Sequence, residues 1–237
     1  MKKIHTSALA IAFASLFLAA MAPRADAADP YVVRGNEHII IGITLDEAAV
    51  RAALPAGLEP TESISGGINV YTSGGGYATE PYTRAYVWAD LEGHDSANGS
   101  KGRWILWGTT SGGLEKMNLY YGNIIVAGQA SLTENGNKTI GVASVGGSQI
   151  LNVEIELSDD PCGEASGILN YPVMVDTSGK LGVETFTWVA DICGATPTKV
   201  EFMVASDHPL SKFKPTAVIW AAQAKNLSFG SKPPQSH

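Results

Sequence analysis

A mainly β fold, either a barrel or a sandwich, is predicted by three features of this sequence. About ten short apolar or alternating runs recur along it, Gly- and Asn-rich turns separate them, and only one or two segments carry a helical period. Closure into a barrel would remove unpaired strand edges and leave an interior able to hold a small ligand.

The first 27 residues fall outside that pattern. Lys2 and Lys3 make a basic start, residues 8–22 are apolar, and Ala25-Asp26-Ala27 supplies small residues for cleavage, the composition of a secretory signal peptide. The apolar run is shorter than the ~20 residues that span a bilayer, so no membrane span is expected. The expected organisation is a signal peptide over 1–27, one domain over 28–229 and a disordered tail over 230–237, in a secreted or periplasmic protein. Removal of Lys2, Lys3, Arg24 and Asp26 takes the formal net charge from -7 to -9 (-7 - 3 + 1). An acidic surface repels phosphate backbones and argues against a nucleic-acid partner.

Residues 31–43 read as a strand buried on both faces, because Ile39, Ile40 and Ile41 are consecutive. A helix is predicted next. Thr44 with Glu47 has the capping-box form, and Leu45, Ala48, Ala49, Ala52 and Ala53 form an apolar stripe that stops at Leu54-Pro55. Strands follow over 68–72, 82–91 and 103–107, and the polar run 94–102 is expected to be a mobile loop. A meander over 123–132, 138–145 and 149–157 turns at Asn135-Gly136-Asn137 and Gly146-Gly147. Residues 168–175, 181–190, 199–204 and 217–229 complete the predicted set.

The segment 104–122 breaks the strand pattern. Trp104, Ile105, Leu106 and Trp107 are bulky and apolar, Ser111, Gly112 and Gly113 allow a sharp turn, and Glu115 and Lys116 adjoin Leu114 and Met117. An ionisable pair in apolar company suggests a site; a one-turn helix with its charges in water would be written with the same letters. The aromatics Tyr71, Tyr77, Tyr82, Trp88, Trp104 and Trp107 divide between core and pocket wall.

The order of these features is similar to that of the acetoacetate decarboxylase-like family. The resemblance rests on Leu54-Pro55-Ala56-Gly57-Leu58-Glu59-Pro60 after the helix and on Glu80-Pro81-Tyr82-Thr83 before a strand that ends at Gly93. It extends to Gly112-Gly113-Leu114-Glu115 and to Ala224-Lys225-Asn226-Leu227. It implies a closed antiparallel β-barrel with a ligand cavity and a lysine that forms a Schiff base with a ketone and releases carbon dioxide through an enamine. Such a lysine must be neutral, its pKa lowered from about 10.4 to roughly 7 by burial or a neighbouring cation.

The family's lysine pair after a proline would fall near Tyr120 and Tyr121, where neither lysine nor proline occurs, so Lys116 is the candidate nucleophile and Glu115 its proton-transfer partner. The family's acidic residue after the Tyr-Thr pair is Arg84 here, which suits an anionic ligand through forked hydrogen bonds, unless it is a surface residue at a strand start. Arg84, Trp107 and Tyr121 are the expected ligand-binding residues.

His38, His94, His208 and His237 show no ligand spacing, and Asp159-Asp160 with Glu164 lacks the oxygen alternation of a calcium loop, so neither metal nor cofactor is expected. Cys162 and Cys193 are the mature chain's cysteines and, in an exported protein, are expected to form a disulfide. The leading expectation is an exported barrel that binds a small organic acid or hydrophobic molecule. The rivals are a lysine-dependent lyase and a non-catalytic cell-envelope protein with a filled interior and an apolar outer patch. Homo-oligomerisation is left open.

Overall fold

Strand β1 (Tyr31–Thr44) lies at the centre of the sheet, paired antiparallel with β2 (Ser65–Ser73) on one side and β12 (Ala217–Ser236) on the other. The computed structural model describes residues 30–176 and 178–236, so the expected signal peptide lies outside the described residues. In the Ile39-Ile40-Ile41 run Ile39 and Ile41 are buried and Ile40 is half-buried, and alternation explains why. Ile39 and Ile41 face the main apolar core, where a β-carbon on Gly141 of β8 would come within 3.0 Å of Ile39 Cδ1. His38 and Ile40 face a cavity on the opposite side.

The order of strands in the sheet is β6-β5-β4-β2-β1-β12-β11-β9-β8-β7, with β3 (Gly76–Tyr77) on β1 and β10 (Gly163–Met174) on β11 (Leu181–Phe202). Strands β4 (Tyr82–Leu91) and β5 (Gly102–Thr110) form one wing; β7 (Gln129–Asn135), β8 (Lys138–Val145) and β9 (Ser148–Leu157) form the other. The mainly β expectation holds, but closure does not: the hydrogen-bonded path is open, and β6 (Ile125–Ala127) pairs parallel with β5. The two end strands, β6 and β7, are consecutive in the chain and separated by Gly128 alone. Strands joined by one residue cannot turn back to pair with each other, since even the tightest hairpins use two. Gly128 donates its N–H to Thr110 O at 3.0 Å, and a β-carbon there would lie 2.1 Å from Thr109 Oγ1.

Helix α1 (Glu47–Ala53) starts later than the capping-box pattern suggests. Asp46 is the N-cap and accepts from Ala49 N at 2.8 Å, whereas Thr44 ends β1 with its hydroxyl 2.8 Å from that of Thr216. The second helix, α2 (Leu114–Tyr121), follows the Ser111-Gly112-Gly113 turn, and a 3-10 turn (Pro209–Phe213) precedes β12. The loop at 94–102 is tied to β10, where Asn170 Nδ2 donates to Asp95 O at 3.1 Å.

Two strands are longer than the sequence suggests. β11 joins the predicted strand 181–190 to most of 199–204, ending at Phe202, and carries Pro197 at a register shift where no ladder bond is needed. β12 runs through the segment expected to be a tail, with Gly230 opposite Val32 on β1 and Thr187 on β11. The Cys162–Cys193 disulfide is present, its Cα atoms 4.2 Å apart, and it ties the approach to β10 to the middle of β11.

Close approach fixes Gly66 on β2. A β-carbon there would fall 2.0 Å from the Trp88 carbonyl oxygen, a backbone atom that cannot yield without breaking the β2–β4 ladder. Gly66→Ala is expected to destabilise the fold by on the order of 3 kcal/mol, read as a lowered denaturation midpoint. An unchanged midpoint would contradict this packing.

Candidate ligand-binding site

Strand alternation builds one wall of the cavity. On β4, Tyr82, Arg84, Tyr86 and Trp88 share a face, and on β11 Glu184, Phe186 and Trp188 do the same. All but Trp88 line a cavity of about 890 Å³, together with His38, Asn69 and Tyr71 from β1 and β2 and Lys116, Met117 and Tyr121 from α2. The interior is therefore not filled, against the expectation for a purely structural protein.

Lys116 reaches into this space from the first turn of α2. Its Nζ lies 3.4 Å from Glu184 Oε1 and 4.2 Å from the centre of the Tyr31 ring. Glu184 is only 4% exposed, and its Oε1 also accepts from the Ser231 hydroxyl. Burial pushes the Glu184 carboxyl above its usual range, opposed by the Lys116 ammonium and the Ser231 donor.

Arg84 is held differently. Its guanidinium stacks 4.9 Å from the Tyr82 ring centre, Nε donates to Thr110 Oγ1 at 3.4 Å, and among the described residues no carboxylate lies within 4.0 Å of it. Gly113, the N-cap of α2, has a left-handed φ of 67° and offers no side-chain cap; a β-carbon on it would sit 3.9 Å from Arg84 Nη2. An unpaired cation and the uncapped start of a helix thus meet at one end of the cavity. Both favour an anion there.

A buried polar chain runs across the adjoining strands. Asn69 Nδ2 lies 3.2 Å from His38 Nδ1 and 3.1 Å from Tyr86 Oη, which in turn is 3.3 Å from Tyr171 Oη. An amide nitrogen only donates, so His38 Nδ1 accepts and its proton sits on Nε2. The ring stacks on Tyr71 at 4.2 Å, and burial lowers its pKa from 6.5 to about 3.

Unfolded His38 would therefore take up a proton that the folded site refuses, and stability should fall as the pH drops from 6.5 toward 3. The slope approaches about 1.4 kcal/mol per pH unit at its steepest. Glu184 acts with opposite sign: its raised pKa gives stability present below 4.5 and lost as the pH rises through its folded value. Comparison of wild type with His38→Gln in urea at pH 7 and pH 4 isolates the histidine. The variant should show the flatter acid limb, and equal limbs would contradict a buried neutral imidazole.

No protein-family model and no curated protein matches the sequence. Solved structures do match. An acetoacetate decarboxylase aligns with a TM-score of 0.65 at 12% identity, over 88% of this chain and 88% of that one. The enduracididine biosynthesis enzyme MppR complexed with pyruvate gives 0.61 at 11%, covering 86% and 88%. An acetoacetate decarboxylase-like enzyme from Sphingomonas wittichii RW1 gives 0.57 at 13%, covering 88% and 92%.

The chain has an acetoacetate decarboxylase-like fold. On that fold Lys116, Arg84 and Tyr121 line the cavity, as the sequence suggests, and Glu115 and Trp107 do not. Glu115 is exposed, because at about 100° per residue Lys116, Met117, Tyr120 and Tyr121 share the inward face of α2 and Glu115 falls on the opposite side. Trp107 is buried in the core with its ring 5.6 Å from that of His208. A bulge is responsible: Val87 pairs with Trp107 but Trp88 with Ile105, so Leu106 is an extra residue that turns Trp107 to the other face. The carboxylate beside Lys116 is Glu184, which sequence reasoning missed. Its signal was present, an acidic residue in phase with Phe186 and Trp188 on an alternating strand.

Proposed function

We propose that this is an exported protein of acetoacetate decarboxylase-like fold that binds an organic acid in its cavity, with Arg84 taking the carboxylate. The observation that carries this reading is the Arg84 guanidinium, which faces the cavity without a carboxylate partner among the described residues and beside the uncapped start of α2. A planar fork of donors matches a carboxylate with two parallel hydrogen bonds. The pyruvate named for MppR is a ligand of this chemistry on the same fold. The Cys162–Cys193 bond and the amino-terminal sequence support export. Calorimetric titration with short carboxylates and with their methyl esters tests the reading. Saturable binding of the acids and none of the esters is expected, and equal binding of both would overturn it.

A second reading, a lyase acting through a Lys116 Schiff base, is favoured by the placement of Lys116 against the cavity with buried Glu184 in reach for proton transfer. The ion pair works against it, since attack on a ketone requires a free amine. Incubation with keto acids and borohydride should leave a mass increment on Lys116 if this chemistry operates. No adduct, with turnover unchanged in Lys116→Ala, would remove it.

A further inference from the structure

Polarity along the cavity is sorted from one end to the other. Near Tyr31, which pairs with Ser231, the wall carries Lys116, Glu184 and Arg84. Toward the other end of β1 it turns apolar: Ile40 lies opposite Ala222, and Trp220 opposite Gly42. Arg84 is level with His38 through Tyr71, so four residues of β1, or ~13 Å, separate its level from Gly42 and Trp220. Arg103 also borders the apolar end, stacked 4.5 Å over Trp88 and 3.9 Å from Asp90, with its buried Nε making no hydrogen bond among the described residues.

The apolar stretch has its own cluster, distinct from the main core, in which Ala190, Ala224 and Leu227 pack with Ile40 and Ile192. At its end the Trp220 indole lies across Gly42, where a β-carbon would come 2.1 Å from Nε1. Trp220 stays 45% exposed, and its neighbours Val218 and Ile219 are 40% and 56% exposed, an apolar rim in water. A volume of about 890 Å³ belongs to the range of pockets that enclose drug-sized molecules and exceeds what a keto acid of a few carbons fills.

On the organic-acid reading above, we propose that the ligand is an elongated amphiphilic acid, with its carboxylate at Arg84 and its apolar body along the β1–β12 wall to Trp220. The rim of Val218, Ile219 and Trp220 is the portal through which the apolar end enters. Burial of each added methylene along the wall tightens binding, and the head group fixes orientation.

The test is a chain-length series of acetate, butyrate, octanoate and dodecanoate, titrated below micellar concentrations and followed by calorimetry and by tryptophan emission from Trp188 and Trp220. Affinity should rise by about fourfold per methylene, methyl dodecanoate should bind far more weakly than dodecanoate, and Trp220→Phe should lose most of the emission change. Ala222→Phe, which narrows the apolar arm, should weaken dodecanoate at least tenfold and butyrate by a much smaller factor; the wild-type series decides the question if this variant does not fold. Acids that bind with no dependence on chain length would overturn this inference and leave the organic-acid reading standing. Failure of every carboxylate to bind would overturn both.

Discussion

Loss of the Cys162–Cys193 bond should lower the unfolding free energy by about 3.7 kcal/mol on the loop-entropy estimate for its 31-residue span. The bond joins the approach to β10 to the middle of β11, and Cys193 points away from the face on which Ile192 borders the cavity. Its effect falls on the unfolded chain, so ligand affinity should persist while the denaturation midpoint drops. The Cys162→Ser/Cys193→Ser double variant, unfolded in urea beside wild type, measures this. An unchanged midpoint, or two free thiols in protein from its native compartment, would contradict it.

Arg84→Gln should weaken carboxylate binding about 100-fold or more. Hydrogen bonds to charged groups contribute about 1.5–3 kcal/mol each, and the substitution removes both the charge and the forked geometry. The glutamine still fills much of the space above the Tyr82 ring, so the fold should survive. Calorimetric titration with a saturating wild-type ligand, together with a thermal melt, separates affinity from stability. Equal affinities in the two proteins would remove Arg84 from the site.

Local pattern made much of this protein legible. The alternation on β4 places Tyr82, Arg84 and Tyr86 on one face, and the Ile39-Ile40-Ile41 run marks a strand with both faces covered. Glu184 was readable by the same rule. Three things depended on partners remote in sequence. The bulge at Leu106, which sends Trp107 into the core, arises from pairing with β4 and has no signature in the run Trp104-Ile105-Leu106-Trp107. Residues 230–236 look like a polar, proline-containing tail, yet they pair with both β1 and β11. The open sheet turns on Gly128, squeezed between Thr109 and Ser144 by strands that are distant in the chain.

Glu115 misses the cavity for a simpler reason: it lies on the face of α2 opposite the one that Lys116, Met117 and Tyr121 turn inward. Lys116 takes the inward position, and the carboxylate that meets it comes from β11. Sequence adjacency suggested a pair that the orientation of α2 splits, whereas the actual pair is 68 residues apart in the chain.

The central claim is that Arg84 receives the carboxylate of an organic acid. The most direct measurement is a crystal structure of the protein soaked with an acid selected by calorimetry. The account predicts a carboxylate within hydrogen-bond distance of the Arg84 guanidinium, between it and the start of α2. Density for the acid elsewhere in the cavity, with Arg84 uncontacted at saturation, would contradict it.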